Sequence, residues 1–203
     1  MKNFSWLVLL FLAIGIGACN EPSQQEELPI MGQPSIVDGD TIPFTLPAFS
    51  LMNQDSSVIN NESLKGKVFV SDFFFTSCPT ICPRMKAQML RIQKEFRDDD
   101  RVVLVSHTID PRFDQVPVLS VYADRLGIDS EKWHLLTGEQ DDIYDLARSY
   151  MITALEDSTA PGGYAHSGAF ILVDQEQHIR GFYDGTLPDD VDNLMGDILT
   201  LLD

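Results

Sequence analysis

Phe73-Phe74-Phe75-Thr76-Ser77-Cys78-Pro79-Thr80-Ile81-Cys82-Pro83-Arg84-Met85 is the stretch on which the reading of this chain turns. An apolar run over residues 68–75 delivers two cysteines, four positions apart, to the start of an amphipathic segment. Both sulfurs are therefore expected where a strand hands over to a helix. A helix N-terminus offers N–H groups and positive dipole, which favour an anionic sulfur. Side chains four apart on a helical turn lie about 5 to 6 Å apart at Cβ, which suits one shared metal ion or, with adjustment, a disulfide. The spacing leaves both open.

Two prolines narrow the geometry. In a helix begun at Pro79, Pro83 would fall one turn in, where its ring crowds the carbonyl four residues back. Residues 78–82 are thus expected to be turn-like, with the regular helix starting near Pro83. Met85, Met89, Ile92 and Phe96 then recur at helical spacing, while Arg84, Lys86, Arg91, Lys94 and Arg97 populate the other faces. The methionines read as core packing rather than as soft metal ligands.

The chain of 203 residues is 44% apolar and 22% charged, enough for one substantial core with appendages. Fourteen basic against 31 acidic residues give a net charge of −17, which argues against nucleic acid and anionic lipid surfaces as partners. Residues 1–18 read as a secretory signal, with Lys2 near the start, an apolar stretch over 6–16 and small residues before Cys19. The apolar stretch is short for a transmembrane helix, which needs about 20 residues. Ile16-Gly17-Ala18-Cys19 resembles the bacterial lipobox, whose cysteine carries the lipid. Residues 19–40, rich in Glu, Gln, Pro, Ser and Gly, read as a lipid-anchored flexible tether, and residues 41–203 as the domain. With Cys19 assigned to lipidation, Cys78 and Cys82 face an oxidising compartment as a disulfide, a metal site, or a redox pair kept reduced by another protein.

Outward from the cysteines, the pattern alternates buried runs with amphipathic stretches. Residues 41–59 suggest a strand pair and 62–65 a single turn. Strands are expected at 68–75, 101–106, 133–136, 169–173 and 179–183, with helices at 83–96, 117–126, 141–150 and 187–202. That order is the order of a thioredoxin-like α/β sandwich with an N-terminal hairpin extension. Residues 152–167 read as an irregular loop leading back to the strand beside the cysteine turn, so that His166 could face the two sulfurs. Two thiolates and an imidazole would suit copper or zinc, with softness favouring Cu(I); a surface histidine is the alternative at this stage. His107, at the end of the second strand, is a lesser candidate, whereas His134 and His178 read as structural or solvated. Asp72 reads as an alternate-face polar residue, a partner to a buried base, or an influence on the thiols. Asp98-Asp99-Asp100 reads as a solvated loop.

The runs 72–83, Ile109-Asp110-Pro111-Arg112, Trp133-His134-Leu135-Leu136-Thr137-Gly138 and His166-Ser167 together resemble the Sco/SenC family of copper-binding assembly factors for cytochrome c oxidase. The resemblance spans about residues 44–203. It implies a thioredoxin-like fold on a membrane-tethered, exported domain in the bacterial cell envelope, and copper held by Cys78, Cys82 and His166 as Cu(I) or Cu(II). It implies as partners the copper-bearing subunit of the oxidase, a copper donor and a thiol reductant, with copper delivery or thiol reduction as the task. Ala165 stands where the family commonly has an acidic residue, and His107 is unusual in its strand. The rival expectation is an enzyme, a thiol-disulfide oxidoreductase or a peroxiredoxin-like protein using Cys78 and Cys82. Oxidoreductases usually separate their cysteines by two residues rather than three, and Thr76 lies one position too close to Cys78 for a peroxiredoxin.

Overall fold

The computed structural model describes residues 27–203, with His166 described by its main chain. Cys19, the signal segment and the first part of the expected tether lie outside the described residues. Among the described residues, no helix is long and apolar enough to cross a membrane.

Three apolar runs form the centre because they are buried on both faces, as parallel strands flanked by helices require. These are β5 (Val68–Phe74), β6 (Val102–Thr108) and β7 (Trp133–Thr137). β5 and β6 pair in parallel from Val68↔Val102 to Phe74↔Thr108, and β7 continues on the far side of β6. β3 (Ser50–Asn53) and β4 (Val58–Asn60), a hairpin, extend the sheet antiparallel beyond β7. On the other side of β5 run β10 (Ala169–Val173) and β11 (Ile179–Asp184), again antiparallel. The sheet order is therefore β11-β10-β5-β6-β7-β3-β4, a thioredoxin-like mixed sheet with the expected N-terminal hairpin at one edge.

Alternation along β5 assigns its two faces. Asp72 and Phe74 face α2 (Cys82–Glu95) and α3 (Val116–Leu126), for Lys86 of α2 lies over the Phe74 ring and Tyr122 of α3 stacks on it. Phe73 faces the other way, against His107 and against Tyr150, which closes α4 (Gln140–Ser149). The short α1 (Asn61–Leu64) precedes β5, and α5 (Pro188–Leu202) ends the chain beside α2, where Arg91 pairs with Asp192.

Two expectations need correction. The tether was expected to run free to residue 40, yet β1 (Ser35–Val37) and β2 (Asp40–Ile42) form a hairpin. An Asp38-Gly39 turn with both φ positive, at 53° and 91°, joins β-branched runs, the usual hairpin chemistry. The segment before it is held too: Met31 N–H donates to Ile179 O at 2.7 Å and the Arg180 guanidinium donates to Leu28 O. The loop expected over 152–167 likewise contains a hairpin, β8 (Ala154–Glu156) and β9 (Tyr164–His166), joined by a 3-10 turn at Pro161–Gly163. Its strands are short, and none of their described residues is fully buried, so they carry too little apolar alternation to read from sequence.

Candidate metal centre

The cysteine turn leaves β5 with its backbone folded back: Cys78 N–H donates to Phe75 O at 3.2 Å. The helix starts one residue before the expected Pro83. Cys82 is the first residue of α2, Pro83 occupies the second position, and Ile81 O takes both the Arg84 and Met85 N–H groups. Both cysteines are thiols rather than a disulfide, and both are nearly sealed from solvent, Cys78 at 8% and Cys82 at 2% exposure. The Cys78 sulfur also lies 3.6 Å from Thr80 Oγ1.

The sequence led us to expect lowered thiol pKa values at a helix start. For Cys82 the opposite holds: burial pushes its thiol well up, a hydrogen bond with Cys78 adds to this, and the nearby Lys86 ammonium only partly offsets them. Desolvation outweighs the helix dipole at this depth. Any soft metal ion taken up by the Cys82 sulfur would therefore have to displace its proton, and its affinity would rise with pH.

Beneath the turn lies a buried polar network. Lys86, expected on a polar face of α2, is 1% exposed and its ammonium donates to Asp72 Oδ2 at 2.8 Å, Asp72 Oδ1 at 3.2 Å and Ser106 Oγ at 3.0 Å. Ser106 Oγ donates in turn to Asp72 Oδ1 and accepts Trp133 Nε1–H at 2.8 Å. Asp72 is thus the partner of a buried base, one of the roles its position suggested.

Asp114, fully buried, was not singled out by the sequence. Its carboxylate accepts Thr76 N–H at 2.9 Å, the Thr76 hydroxyl and the Thr108 hydroxyl at 2.6 Å, and so pins the entry to the cysteine turn. Burial raises its pKa, and the threonine hydrogen bonds oppose the rise. No local pattern betrays this residue, since it lies 38 positions from Thr76.

The hairpin carrying His166 closes on the same turn. His166 pairs through its main chain with Ala154. The Tyr164 ring lies 5.1 Å from that of Phe75, and Gly162, at φ 83°, packs so tightly that an added Cβ would stand 2.8 Å from the Phe75 ring and 3.1 Å from Pro79. Only glycine fits there.

His107 turns away from this chemistry. It is fully buried on the opposite face, stacked on Phe73 at 4.9 Å and bordered by Phe49 and Tyr150, with neither ring nitrogen hydrogen-bonded. Burial first, and Lys86 second, hold its pKa down at about 3. Its folded-state value is below the ordinary 6.5, so the unfolded chain takes up the proton first. Stability is therefore full above about pH 6.5 and falls progressively toward pH 3, by a total on the order of 4 kcal/mol. The half-buried His134 contributes in the same direction and Asp114 in the opposite one. The expected result is that His107→Leu flattens the acid limb in urea titrations at successive pH values; an unchanged limb would contradict this assignment. His178 sits in the β10–β11 turn with Asp174 and Glu176, but the Asp174 carboxylate is already taken by Arg180 and two backbone N–H groups. Asp99 of the acidic loop is paired with Arg101, which holds its carboxyl low, at about 2.

The model of the SCO1/SenC family matches residues 40–203. The chain belongs to this family. Among solved structures, this SCO1/SenC protein is similar to a SCO1/SenC family lipoprotein from Bacillus anthracis, at 30% identity and a TM-score of 0.73, covering 79% of this chain and 96% of that one. It is similar to BsSco, a member of the Sco family of cytochrome c oxidase assembly proteins in which a disulfide switch has been identified, at 29% identity and a TM-score of 0.69, with coverages of 78% and 93%. It is also similar to copper-bound ScoI of Arabidopsis thaliana, at 27% identity and a TM-score of 0.64, with coverages of 78% and 98%.

Proposed function

We propose that this SCO1/SenC domain carries copper between Cys78, Cys82 and His166. It uses that site in assembling the dinuclear copper centre of cytochrome c oxidase, by delivering copper, reducing thiols, or both. The observation that carries the reading is the pair of buried, mutually hydrogen-bonded thiols in the turn that leads into α2 and at its first residue, with the β8–β9 hairpin closed over the same turn. Two soft sulfurs and an imidazole are a donor set for Cu(I), and the imidazole is the ligand that can leave first. Cu(II) would ask for a further, harder ligand. The copper-bound relative and the oxidase-assembly relative support the same reading.

By exchange with a partner's disulfide, which becomes a dithiol, Cys78 and Cys82 can also give up two electrons and two protons to form a disulfide of their own, which removes both thiolates from the metal. A dithiol reductant returns them, so a copper donor, a reductant and the copper-bearing oxidase subunit are the implied partners. Lipidation at Cys19 would hold the domain on the outer side of a bacterial membrane, in line with the lipoprotein relative. The peroxidase alternative is weakened because the Thr76 hydroxyl, which would have to orient peroxide, is committed to Asp114.

The test is anaerobic Cu(I) loading of the reduced protein against a chromogenic chelator. One retained copper per chain, lost on oxidation of Cys78 and Cys82, is the expected outcome. No retained copper together with turnover in a disulfide-exchange assay would transfer the site to the oxidoreductase alternative.

A further inference from the structure

Resting on that reading, we infer that the turn over residues 110–114, between β6 and α3, is a bracket that sets the spacing between the two cysteines and the strand carrying His166. Each half of the site is tied to this one turn. On the cysteine side, Asp114 accepts both the N–H and the hydroxyl of Thr76, two residues before Cys78. On the histidine side, Arg112 Nη2 meets Glu156 Oε1 at 2.5 Å, and the Tyr164 hydroxyl lies toward Asp110, which together with burial holds its pKa up. Glu156 and Tyr164 are cross-strand partners in the β8–β9 pair, so both strands of the hairpin are held from the same side.

The bracket itself is stiff. Asp114 N–H donates to Asp110 O at 2.8 Å, Asp110 N–H to Thr108 Oγ1 at 3.1 Å, and Thr108 Oγ1 to Asp114 Oδ2 at 2.6 Å. Gln140, at the start of α4, extends the grip: its Oε1 accepts from Arg112 Nε and Nη2, and its Nε2 donates to Glu156 at 2.9 Å and to Tyr144 Oη at 3.0 Å.

The two attachments differ in kind. Asp114 is fully buried, and its two bonds to Thr76 tie the cysteine turn to the core. The Arg112–Glu156 pair is solvent-exposed, with 69% and 49% of the side chains accessible, and pairs of this kind are weak and sensitive to salt. The cysteines are thus fixed while the histidine strand is held by contacts that water and ions can loosen. Such an arrangement lets the imidazole depart and return without disturbing the sulfurs. Asp110, Arg112 and Asp114 are positioning residues, none of them a ligand.

A double-variant cycle in the full protein tests this. Arg112→Ala combined with Tyr164→Phe, which keeps the ring against Phe75, is expected to weaken Cu(I) retention against a chelator about tenfold, the loss of one exposed ion pair and of the hydroxyl facing Asp110. In a His166→Ala background the same pair of changes should have no effect. Amide exchange over residues 154–166 should quicken in the copper-free variant while that over 76–85 stays unchanged. Equal weakening with and without His166, or none although His166→Ala alone weakens retention, would overturn the bracket. No effect of His166→Ala by itself would instead overturn the ligand set on which the bracket rests.

Discussion

Replacing Asp72 by alanine is expected to cost about 3–5 kcal/mol of folding stability, because it strands the Lys86 ammonium in the core with its charge uncompensated. Both side chains are essentially inaccessible to water, at 2% and 0%, so no solvent can replace the lost carboxylate. Ser106 Oγ would remain to Lys86 as a hydroxyl acceptor, and a hydroxyl carries no countercharge. The double replacement Asp72→Leu with Lys86→Met should recover most of the loss, since a buried ion pair exchanged for apolar side chains of similar volume is often near neutral. Urea denaturation of the three proteins reads the difference directly. A single variant as stable as the parent would mean that the pair is not buried as described. The double variant also removes the positive charge that opposes protonation of Cys82, so its copper retention should fall even where its stability returns.

The second large effect falls on the metal. Cys82→Ser is expected to lower Cu(I) retention by more than about 100-fold, beyond the range seen for loss of a residue that merely orients a ligand. A serine hydroxyl is a hard donor that keeps its proton, whereas Cu(I) is held by soft thiolates. Folding should survive, because the substitution is close in size and the helix start is set by Ile81 O and Pro83 rather than by the sulfur. Chelator competition beside a thermal melt separates the two quantities. Retention within a fewfold of the parent would remove Cys82 from the ligand set.

Much of the fold was legible because the decisive strands are buried on both faces. Val68–Phe74, Val102–Thr108 and Ala169–Val173 read as largely apolar runs, broken by Ser71 and Asp72 in the first and by Ser106 and His107 in the second, and the helices between them carry one apolar stripe each. The position of the cysteines was legible from Pro83, which fits only the first turn of a helix. What failed had a common cause, in that tertiary neighbours decide it. Lys86 looks like a surface lysine on a charged helix until Asp72 is placed under it. Asp114 has no periodic signature, and its role exists only because the chain returns to Thr76 from 38 residues away. The raised Cys82 pKa needed the burial depth, which helix polarity alone does not convey. The β1–β2 hairpin is short and exposed and the β8–β9 hairpin short and only half-buried, so neither shows the alternation by which strands are recognised; the Asp38-Gly39 turn signal went unread within the expected tether. His107 offered a metal-ligating residue type at a strand end, yet side-chain alternation turns it to the face opposite Asp72 and Ser106, into a cage of Phe73, Phe49 and Tyr150.

The measurement that bears most directly on the central claim is X-ray absorption at the copper edge of the reduced, Cu(I)-loaded protein, recorded beside His166→Ala. The account predicts a first shell of two sulfurs and one nitrogen in the parent, and the two sulfurs without that imidazole in the variant. A parent shell with a single sulfur, or one identical in the two proteins, would contradict it.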